Sequence, residues 1–207
     1  RYRRDAYFKQ RLLIDRFDAA DEAKSIGEVE SAGGPDLWNG PHDLPNKAKQ
    51  AGFQVSVITQ NIDDLHERAG SRQVLHLHGE ILSARSSIDE YMRYPLPKGG
   101  IEIGDLCDTG SQLRPDVVWF GESVPLFPDA CDLAAEADFL LVVGTSLAVM
   151  PAASLLTHID YDTPCAVVDP NADELSPPGV LAINTTAGEG VPTLVNQWKR
   201  QGNLLLP

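Results

Sequence analysis

The apolar run DFLLVVG at 138–144 constrains the fold more strongly than any other part of the sequence. Its central residues, Phe139 to Val143, match the length of one strand and are too few for a membrane-spanning helix. A strand without polar positions has to be buried on both faces, as happens in the middle of a parallel sheet. The run therefore predicts an α/β protein whose sheet is covered on both sides.

Strand-like and helix-like segments alternate along the chain from residue 53 onward. Strands are predicted at 53–59, 74–78, 117–120, 164–169 and 180–184. Helices are predicted at 61–70, with Asn61 as the N-cap, and at 129–137, 151–159 and 191–200. This alternation is typical of a doubly wound parallel sheet of the Rossmann-like type, which binds ligands at the carboxyl ends of its strands.

The other segments are more polar and divide the chain into two predicted units. Residues 1–17 carry a partial apolar face at helical spacing and predict a helix. Residues 31–46 are rich in Gly, Pro, Asn and Asp and predict a loop. We therefore expect a Rossmann-like domain over 51–80 and 115–207, and a small helical or irregular module over 1–50 and 81–114.

Composition narrows the classes of partner and compartment. A formal net charge of −13 opposes binding to a phosphate backbone, so a nucleic-acid partner is not expected. Three widely spaced cysteines argue against a disulfide scaffold and favour a reducing, cytoplasmic compartment. No apolar run is long enough for a membrane span. The chain begins without methionine, so we expect upstream residues, and we expect a monomer.

Polar residues cluster in and after the predicted strands, in five segments. These are TQNIDDLH (59–66), HLHGE (76–80), LRPDVVWFGE (113–122), VVGTSLAVMPAA (142–153) and VVDPN (167–171). In this order and spacing, over roughly residues 53–200, they resemble the sirtuin family of NAD-dependent protein lysine deacylases. The resemblance implies that NAD is consumed as a co-substrate and that an acylated lysine of a protein or peptide is the second substrate. The implied products are nicotinamide, the free lysine and O-acyl-ADP-ribose.

His78 stands where a predicted strand ends and Gly79 allows the chain to turn. An imidazole in such a place can accept a proton near neutral pH. Taken alone, the residue is better explained as a core histidine bonded to backbone. Within LHGE, the resemblance implies that His78 is the catalytic base, which deprotonates a ribose hydroxyl of NAD after nicotinamide has left.

Gln60, Asn61 and Asp63 directly follow a predicted buried strand. The resemblance implies that Asn61 and Asp63 line the nicotinamide and ribose pocket and take part in catalysis, and that Gln60 contacts the ribose. Carboxamide and carboxylate groups offer the paired donors and acceptors that nicotinamide requires. The structural alternative is that Asn61 caps a helix and that Asp63 is a solvated surface residue.

A glycine at the end of a strand lets backbone amides approach a phosphate group, and neighbouring hydroxyls can add hydrogen bonds. Gly144, Thr145 and Ser146 occupy this position after the central strand. The resemblance implies that they form the dinucleotide loop, that Asn171 binds the adenosine ribose and that Ala187 packs beside the adenine. For Asn171 the alternative is an ordinary Asp-Pro-Asn turn.

The segment VVWFGE supplies the predicted substrate groove, to which an extended peptide can add as a strand. Trp119 and Phe120 either flank the acyl-lysine tunnel or belong to the core, and Asp116 stands where the family pattern has histidine. The resemblance assigns the groove to Val118, Phe120, Gly121 and Glu122. The fragment YRR also resembles the subclass that prefers succinyl, malonyl or glutaryl lysine, in which Arg3 would pair with the acyl carboxylate.

Two features of the sirtuin pattern are missing from the sequence. Residues 81–114 contain Cys107 but no other cysteine and no histidine, whereas a structural zinc site needs four nitrogen or sulfur ligands. No zinc or other metal site is therefore expected. The family's first strand with its Gly-Ala-Gly loop was also not found, so the sheet is expected to lack a central strand, through truncation rather than degeneration.

Three other functions compete with deacylation. Mono-ADP-ribosyl transfer would use the same NAD site, and the missing Gly-Ala-Gly loop favours a non-catalytic module that binds NAD or acyl-lysine. An ordinary NAD-dependent dehydrogenase is disfavoured, because no GxGxxG follows any predicted strand.

Overall fold

The computed structural model describes residues 11–14 and 53–201. The strands, in chain order, are β1 (Arg11–Ile14), β2 (Gln54–Thr59), β3 (Val74–His76), β4 (Gly79–Ser86), β5 (Arg93–Pro95), β6 (Leu113–Val117), β7 (Phe139–Val143), β8 (Cys165–Asp169) and β9 (Leu181–Asn184). The helices are α1 (Leu65–Arg68), α2 (Phe127–Ala135), α3 (Ala172–Leu175) and α4 (Ala187–Gln201), and a 3₁₀ helix covers Ala152–Thr157.

Six of the strands form one parallel sheet in the order β3-β2-β1-β7-β8-β9. The strand order reverses between β1 and β7, and such a reversal leaves a crevice at the carboxyl ends of the strands. The loops that follow β2 and β7 therefore leave the sheet on either side of this crevice. The predicted α/β class, a doubly wound parallel sheet of the Rossmann-like type, is confirmed.

The expectation that the sheet lacks a central strand is wrong. Residues Arg11–Ile14 form β1, which pairs in parallel with β2 on one side and with β7 on the other. The predicted helix over 1–17 is therefore wrong at 11–14, and these residues belong to the large sheet rather than to the small module. A short apolar run such as RLLI fits a buried strand and a buried helical turn equally well, because only length and partners separate them. The rest of that helix and the loop at 31–46 lie outside the described residues.

The core is divided between the two faces of the sheet. On β7, Phe139 and Leu141 join one cluster with Trp198 of α4, while Leu140 joins the other cluster with Ala134 of α2. Alternate residues of a strand point to opposite faces, so every residue of this strand finds an apolar environment. The rings of Phe139 and Trp198 meet edge to face with centroids 5.0 Å apart. The double burial predicted from DFLLVVG is what the structure contains.

Residues 81–114 are more ordered than the helical or irregular module expected there. Strands β4, β5 and β6 form an antiparallel sheet in the order β5-β4-β6, joined by turns. The strand predicted at 117–120 ends earlier, at Val117, so that 118–122 leaves the sheet as a loop. The helix predicted over 61–70 is shorter, because Asp63 accepts a hydrogen bond from the Leu65 amide and the helix begins only after Asp64. Asn61 is therefore not its N-cap.

Along residues 11–14 and 53–201, no helix combines the length and the apolar character that a bilayer span requires.

Gly79 begins β4 in a conformation that only glycine adopts easily, with φ +89°. A Cβ atom at this position would collide with the backbone carbonyl of Asp116 on β6. We predict that Gly79→Ala lowers the free energy of unfolding by about 3 kcal/mol or more, since it combines backbone strain with a steric clash.

Gly100→Ala is the matched control. Gly100 has a similar φ of +93°, but a Cβ there would meet no atom within 4 Å. Denaturant unfolding should show a loss of only about 1–2 kcal/mol for the control. Equal losses for the two variants would contradict the predicted contact between Gly79 and β6.

Candidate active site

A cavity of about 350 Å³ opens between the loop that follows β2, the end of β3 and the loop that follows β6. The structure brings eight of the predicted site residues together in its lining. They are Gln60, Asn61, Asp63, His78, Val118, Phe120, Gly121 and Glu122. These residues come from three separate parts of the sequence, and the parallel sheet places the ends of β2 and β3 side by side.

His78 reaches the cavity just beyond the end of β3. The backbone on both sides of it is fixed, because the Leu77 amide donates to the Thr59 carbonyl (2.9 Å) and the Val118 amide donates to the His78 carbonyl (2.9 Å). The ring Nδ1 lies 3.1 Å from the carbonyl oxygen of Gln60. A carbonyl can only accept, so Nδ1 carries a hydrogen, and Nε2 of the neutral ring holds the lone pair. The ring is half-buried and lines the cavity, so it is not enclosed in the core.

Gln60 and Asn61 are both buried at the end of β2, each 7% exposed. The Asn61 amide donates to the hydroxyl of Thr59 (3.1 Å), which turns the chain away from the strand. The Gln60 side chain reaches the hydroxyl of Thr145 at 3.5 Å, a link between the ends of β2 and β7. Asp63 is half-buried, and its carboxylate accepts the bond that starts α1. Asp63 is thus an ordered residue at the cavity rather than a freely solvated one.

The predicted dinucleotide residues lie outside the cavity lining, along the same edge of the sheet. Gly144 has φ +61° directly after β7, Thr145 is buried and Ser146 is exposed. Asn171 follows β8 on the surface, where its amide bonds to the Asp169 carboxylate at 2.8 Å. Ala187 is the first residue of α4 and packs against the core. The structure therefore places these residues beside one another at strand ends, separate from the pocket that contains His78.

The loop after β6 presents apolar side chains to solvent. Trp119 is 59% exposed and Phe120 is 96% exposed, which excludes the alternative that they belong to the core. Unpacked side chains do little to hold a loop in place, so its conformation depends on polar contacts.

Glu122 supplies those contacts through two arginines. Its carboxylate receives bonds from Arg114 (2.5 and 3.1 Å), from Arg85 (2.9 Å) and from the Trp119 amide (2.9 Å). Both guanidinium groups also donate to the Val117 carbonyl, at 3.2 Å from Arg85 and 3.0 Å from Arg114. The bonds from Arg114 and from the Trp119 amide lower the pKa of Glu122 to about 2. Glu122, predicted to bind substrate, is thus occupied in closing its own loop.

Asp116 is fully buried on β6, close to Arg85 of the Glu122 ion pairs. Its carboxylate is 3.0 Å from Nε of Arg93 and 3.9 Å from Nε of Arg85. Burial raises the pKa of Asp116, and the two arginines act in the opposite direction. The aspartate that stands in place of the expected histidine therefore belongs to an arginine–carboxylate network that also holds the loop 118–122.

Sequence reasoning missed several residues of the site. Arg85 had no signal, because charged residues without a motif are usually solvated, and Arg114 lies in the segment 113–122 but has no role assigned from it. Ile62, Val149 and Met150 also line the cavity, and all three could have been inferred from their places in the segments 59–66 and 142–153. Arg3 lies outside the described residues.

In the part of the chain that the structure describes, no group of three or more His, Cys, Asp or Glu side chains could hold a metal ion. Around the segment expected to be metal-free, the Cys107 sulfur lies 2.9 Å from the Ser111 hydroxyl, which lies 2.7 Å from that of Ser86. These contacts tie the end of β4 to the turn before β6.

The Sir2 family's sequence model matches residues 30–151, more than half of the chain. The chain belongs to the Sir2 family. The match begins well before residue 53, so family sequence extends into the segment 31–46, whose composition predicts a loop. The resemblance stated from the motifs is confirmed.

Bacterial relatives of this Sir2 chain carry the name NAD-dependent protein deacylase. The relative from Helicobacter pylori is 50% identical over 150 residues, which cover 69% of this chain and 65% of the relative. Those from Bacteroides thetaiotaomicron and Mycobacterium tuberculosis are 40% and 41% identical, and 63% and 64% of their lengths are covered. The chain thus spans just under two thirds of the length of these relatives.

Solved Sir2 structures have the same fold. A Sir2 homologue mutant in complex with ADP ribose has a TM-score of 0.71 at 27% identity, covering 96% of this chain and 95% of that one. A Sir2 homolog–NAD complex has a TM-score of 0.70 at 29% identity, covering 93% and 90%. A Sir2 complex with a p53 peptide and NAD⁺, at 23% identity and a TM-score of 0.63, is similar in fold, with coverage of 91% and 93%.

The ion pairs of Glu122 with Arg85 and Arg114 predict a pH-dependent contribution to stability. A carboxylate whose folded pKa is about 2, against an ordinary 4.5, stabilises the folded state fully above 4.5 and loses this contribution as the pH falls toward 2. At neutral pH, Glu122→Gln should lower the free energy of unfolding by about 1 kcal/mol, a value reduced for partial exposure.

The measurement is denaturant unfolding of both proteins across this pH range. Glu102→Gln, at an exposed glutamate between β5 and β6, is the control. The difference between wild type and Glu122→Gln should shrink as the pH falls below 4.5. A difference that stays constant to acidic pH would show that the ion pairs do not form in solution.

Proposed function

We propose that this chain is the larger part of an NAD-dependent protein lysine deacylase. The observation that carries the proposal is the position of His78, whose tautomer is set by the Gln60 carbonyl in the cavity shared with Asn61 and the 118–122 loop. Membership of the Sir2 family and the names of the bacterial relatives support the same activity. Transfer of the acyl group would leave the free lysine, nicotinamide and O-acyl-ADP-ribose.

The donor set fits NAD as the co-substrate. The cavity is of a size for nicotinamide and part of the ribose, and Gln60 and Asn61 bring two buried carboxamides to it. The rest of the dinucleotide would follow the edge of the sheet past Gly144, whose positive φ leaves room for a close approach, toward Asn171. Complexes of Sir2 homologues with NAD and with ADP ribose support NAD as the ligand. When bound, NAD supplies the leaving nicotinamide and the ribose that accepts the acyl group.

The residues that line the cavity would have separate roles in the reaction. His78 would accept the proton of a ribose hydroxyl at Nε2, because Nδ1 is held by the Gln60 carbonyl. Asn61 would orient the nicotinamide and a water molecule, and Asp63 would remain at the pocket through its bond to the Leu65 amide. The exposed Trp119 and Phe120 would wall the tunnel for the acyl-lysine, and the backbone of this loop would pair with an extended peptide.

His78→Tyr should reduce the formation of deacylated peptide from NAD and an acylated peptide by at least about 100-fold, since the general base that acts after nicotinamide has left is lost. His158→Tyr, at an exposed ring packed against Phe127, is the matched control and should retain activity. Undiminished turnover by His78→Tyr would overturn the assignment of the base. Nicotinamide release with ADP-ribose bound to protein, and no deacylated peptide, would instead indicate mono-ADP-ribosyl transfer.

We further propose the finer properties that the sequence suggested: a preference for succinyl or malonyl lysine, a zinc-free small module, a monomeric state and a cytoplasmic location. Arg3 carries the first of these, because a guanidinium pairs with a carboxylate in bidentate fashion. Wild type should prefer succinyl over acetyl peptide, and Arg3→Met should lose that preference while it retains the acetyl rate. Equal rates on both peptides for wild type and variant would remove Arg3 from the site.

A further inference from the structure

His76 is the last residue of β3 and stands two residues before His78. The two rings bind consecutive carbonyl oxygens of the loop after β2. Nδ1 of His78 lies 3.1 Å from the Gln60 carbonyl, and Nδ1 of His76 lies 3.0 Å from the Asn61 carbonyl. The sequence HLH thus secures the two residues that bring carboxamides to the cavity.

The second nitrogen of His76 also has an acceptor. Nε2 lies 3.0 Å from a carboxylate oxygen of Glu67 on α1. A carbonyl and a carboxylate can only accept hydrogen bonds, so both ring nitrogens must donate for both contacts to form. The geometry therefore requires a positively charged His76, in a ring that is only 6% exposed.

The electrostatic surroundings favour this charge. Burial lowers the pKa of His76, but the bonds to Glu67 and to the Asn61 carbonyl outweigh it and raise the pKa above its ordinary value. Burial raises the pKa of Glu67, but the bond to His76, a backbone hydrogen bond and the charges of His76 and His66 together lower it below its ordinary value. The other charged groups that act on His76 are Glu80 on β4 and Asp116 on β6, and both are acidic.

We propose that His76 and Glu67 form a charged positioning pair that fixes the backbone, and through it the carboxamide, of Asn61 in the cavity. The inference rests on the proposed function, which assigns Asn61 to the nicotinamide site. The contact with His76 joins the Asn61 backbone to the neighbouring strand β3, and the bond from the Asn61 amide to the Thr59 hydroxyl at 3.1 Å joins it to β2. Neutral His76 can donate to only one of its two acceptors, so deprotonation releases either Asn61 or Glu67.

A pH consequence follows from the sign of the shift. With its folded pKa raised, His76 holds Asn61 below that pKa and loses this hold as the pH rises through it. Nicotinamide release should therefore have an alkaline limb that follows the titration of His76. This limb is opposite in direction to that of a base such as His78, whose deprotonation increases the rate.

The test compares wild type, Glu67→Gln and the control Glu102→Gln in the full chain. Glutamine keeps the size of Glu67 but removes the charge, so the His76 pKa measured by NMR of the ring should fall by about one unit or more. The alkaline limb of kcat for nicotinamide release should move to lower pH by the same amount, with KM for the acylated peptide unchanged. His76→Gln should lower kcat and lose the limb altogether.

Three outcomes separate the possibilities. A lowered His76 pKa with an unmoved limb would overturn the positioning role and leave the deacylase proposal standing, as would a wild-type ring that titrates at or below the ordinary value of 6.5. Wild type that releases no nicotinamide at any pH would overturn the deacylase proposal. In that event the pH dependence of NAD affinity tests the positioning role of His76 and Glu67. Equal NAD affinity below and above the pKa of His76 would refute that role.

Discussion

A chain that leaves a parallel sheet carries carbonyl groups that the strand ladder no longer satisfies, and buried carbonyls require donors. Beyond β2, the carbonyls of residues 59 to 62 all find theirs in one segment, 76–81. The amides of Leu77 and Ile81 bond to the first and last of these carbonyls, and the side chains of His78 and His76 bond to the two between them. The loop that lines the cavity is therefore fixed by the segment that carries the proposed base.

The opposite wall of the cavity is held by charge rather than by the ladder. The loop 118–122 exposes its aromatic side chains, and its shape depends on Glu122, Arg85 and Arg114. Both arginines come from the small antiparallel sheet, so this sheet takes part in the site without contributing a reacting group. The exposed Trp119 and Phe120 support the proposed peptide-binding surface, because burial of solvated aromatic rings contributes favourable free energy.

The parts of the site that could be predicted from sequence are those that local pattern determines. The run from Phe139 to Val143 identified a buried strand because it contains no polar residue, and HLHGE and TQNIDD identified the loops at strand ends. The run RLLI did not identify β1, because its strand state depends on β2 and β7, which are distant in sequence. Arg85 and Glu122 are 37 residues apart, and their pairing could not be inferred from either neighbourhood. His76 lies in the motif HLHGE, but the motif predicts no role for it, because its proposed function requires Glu67 on a separate element.

Analysis of the reaction products by mass spectrometry tests the central claim most directly. The protein would be incubated with NAD and an acylated peptide, and the nucleotide products would be separated. The account predicts O-acyl-ADP-ribose in amounts equal to the nicotinamide released and to the peptide deacylated. Free ADP-ribose with an unchanged acylated peptide would contradict it.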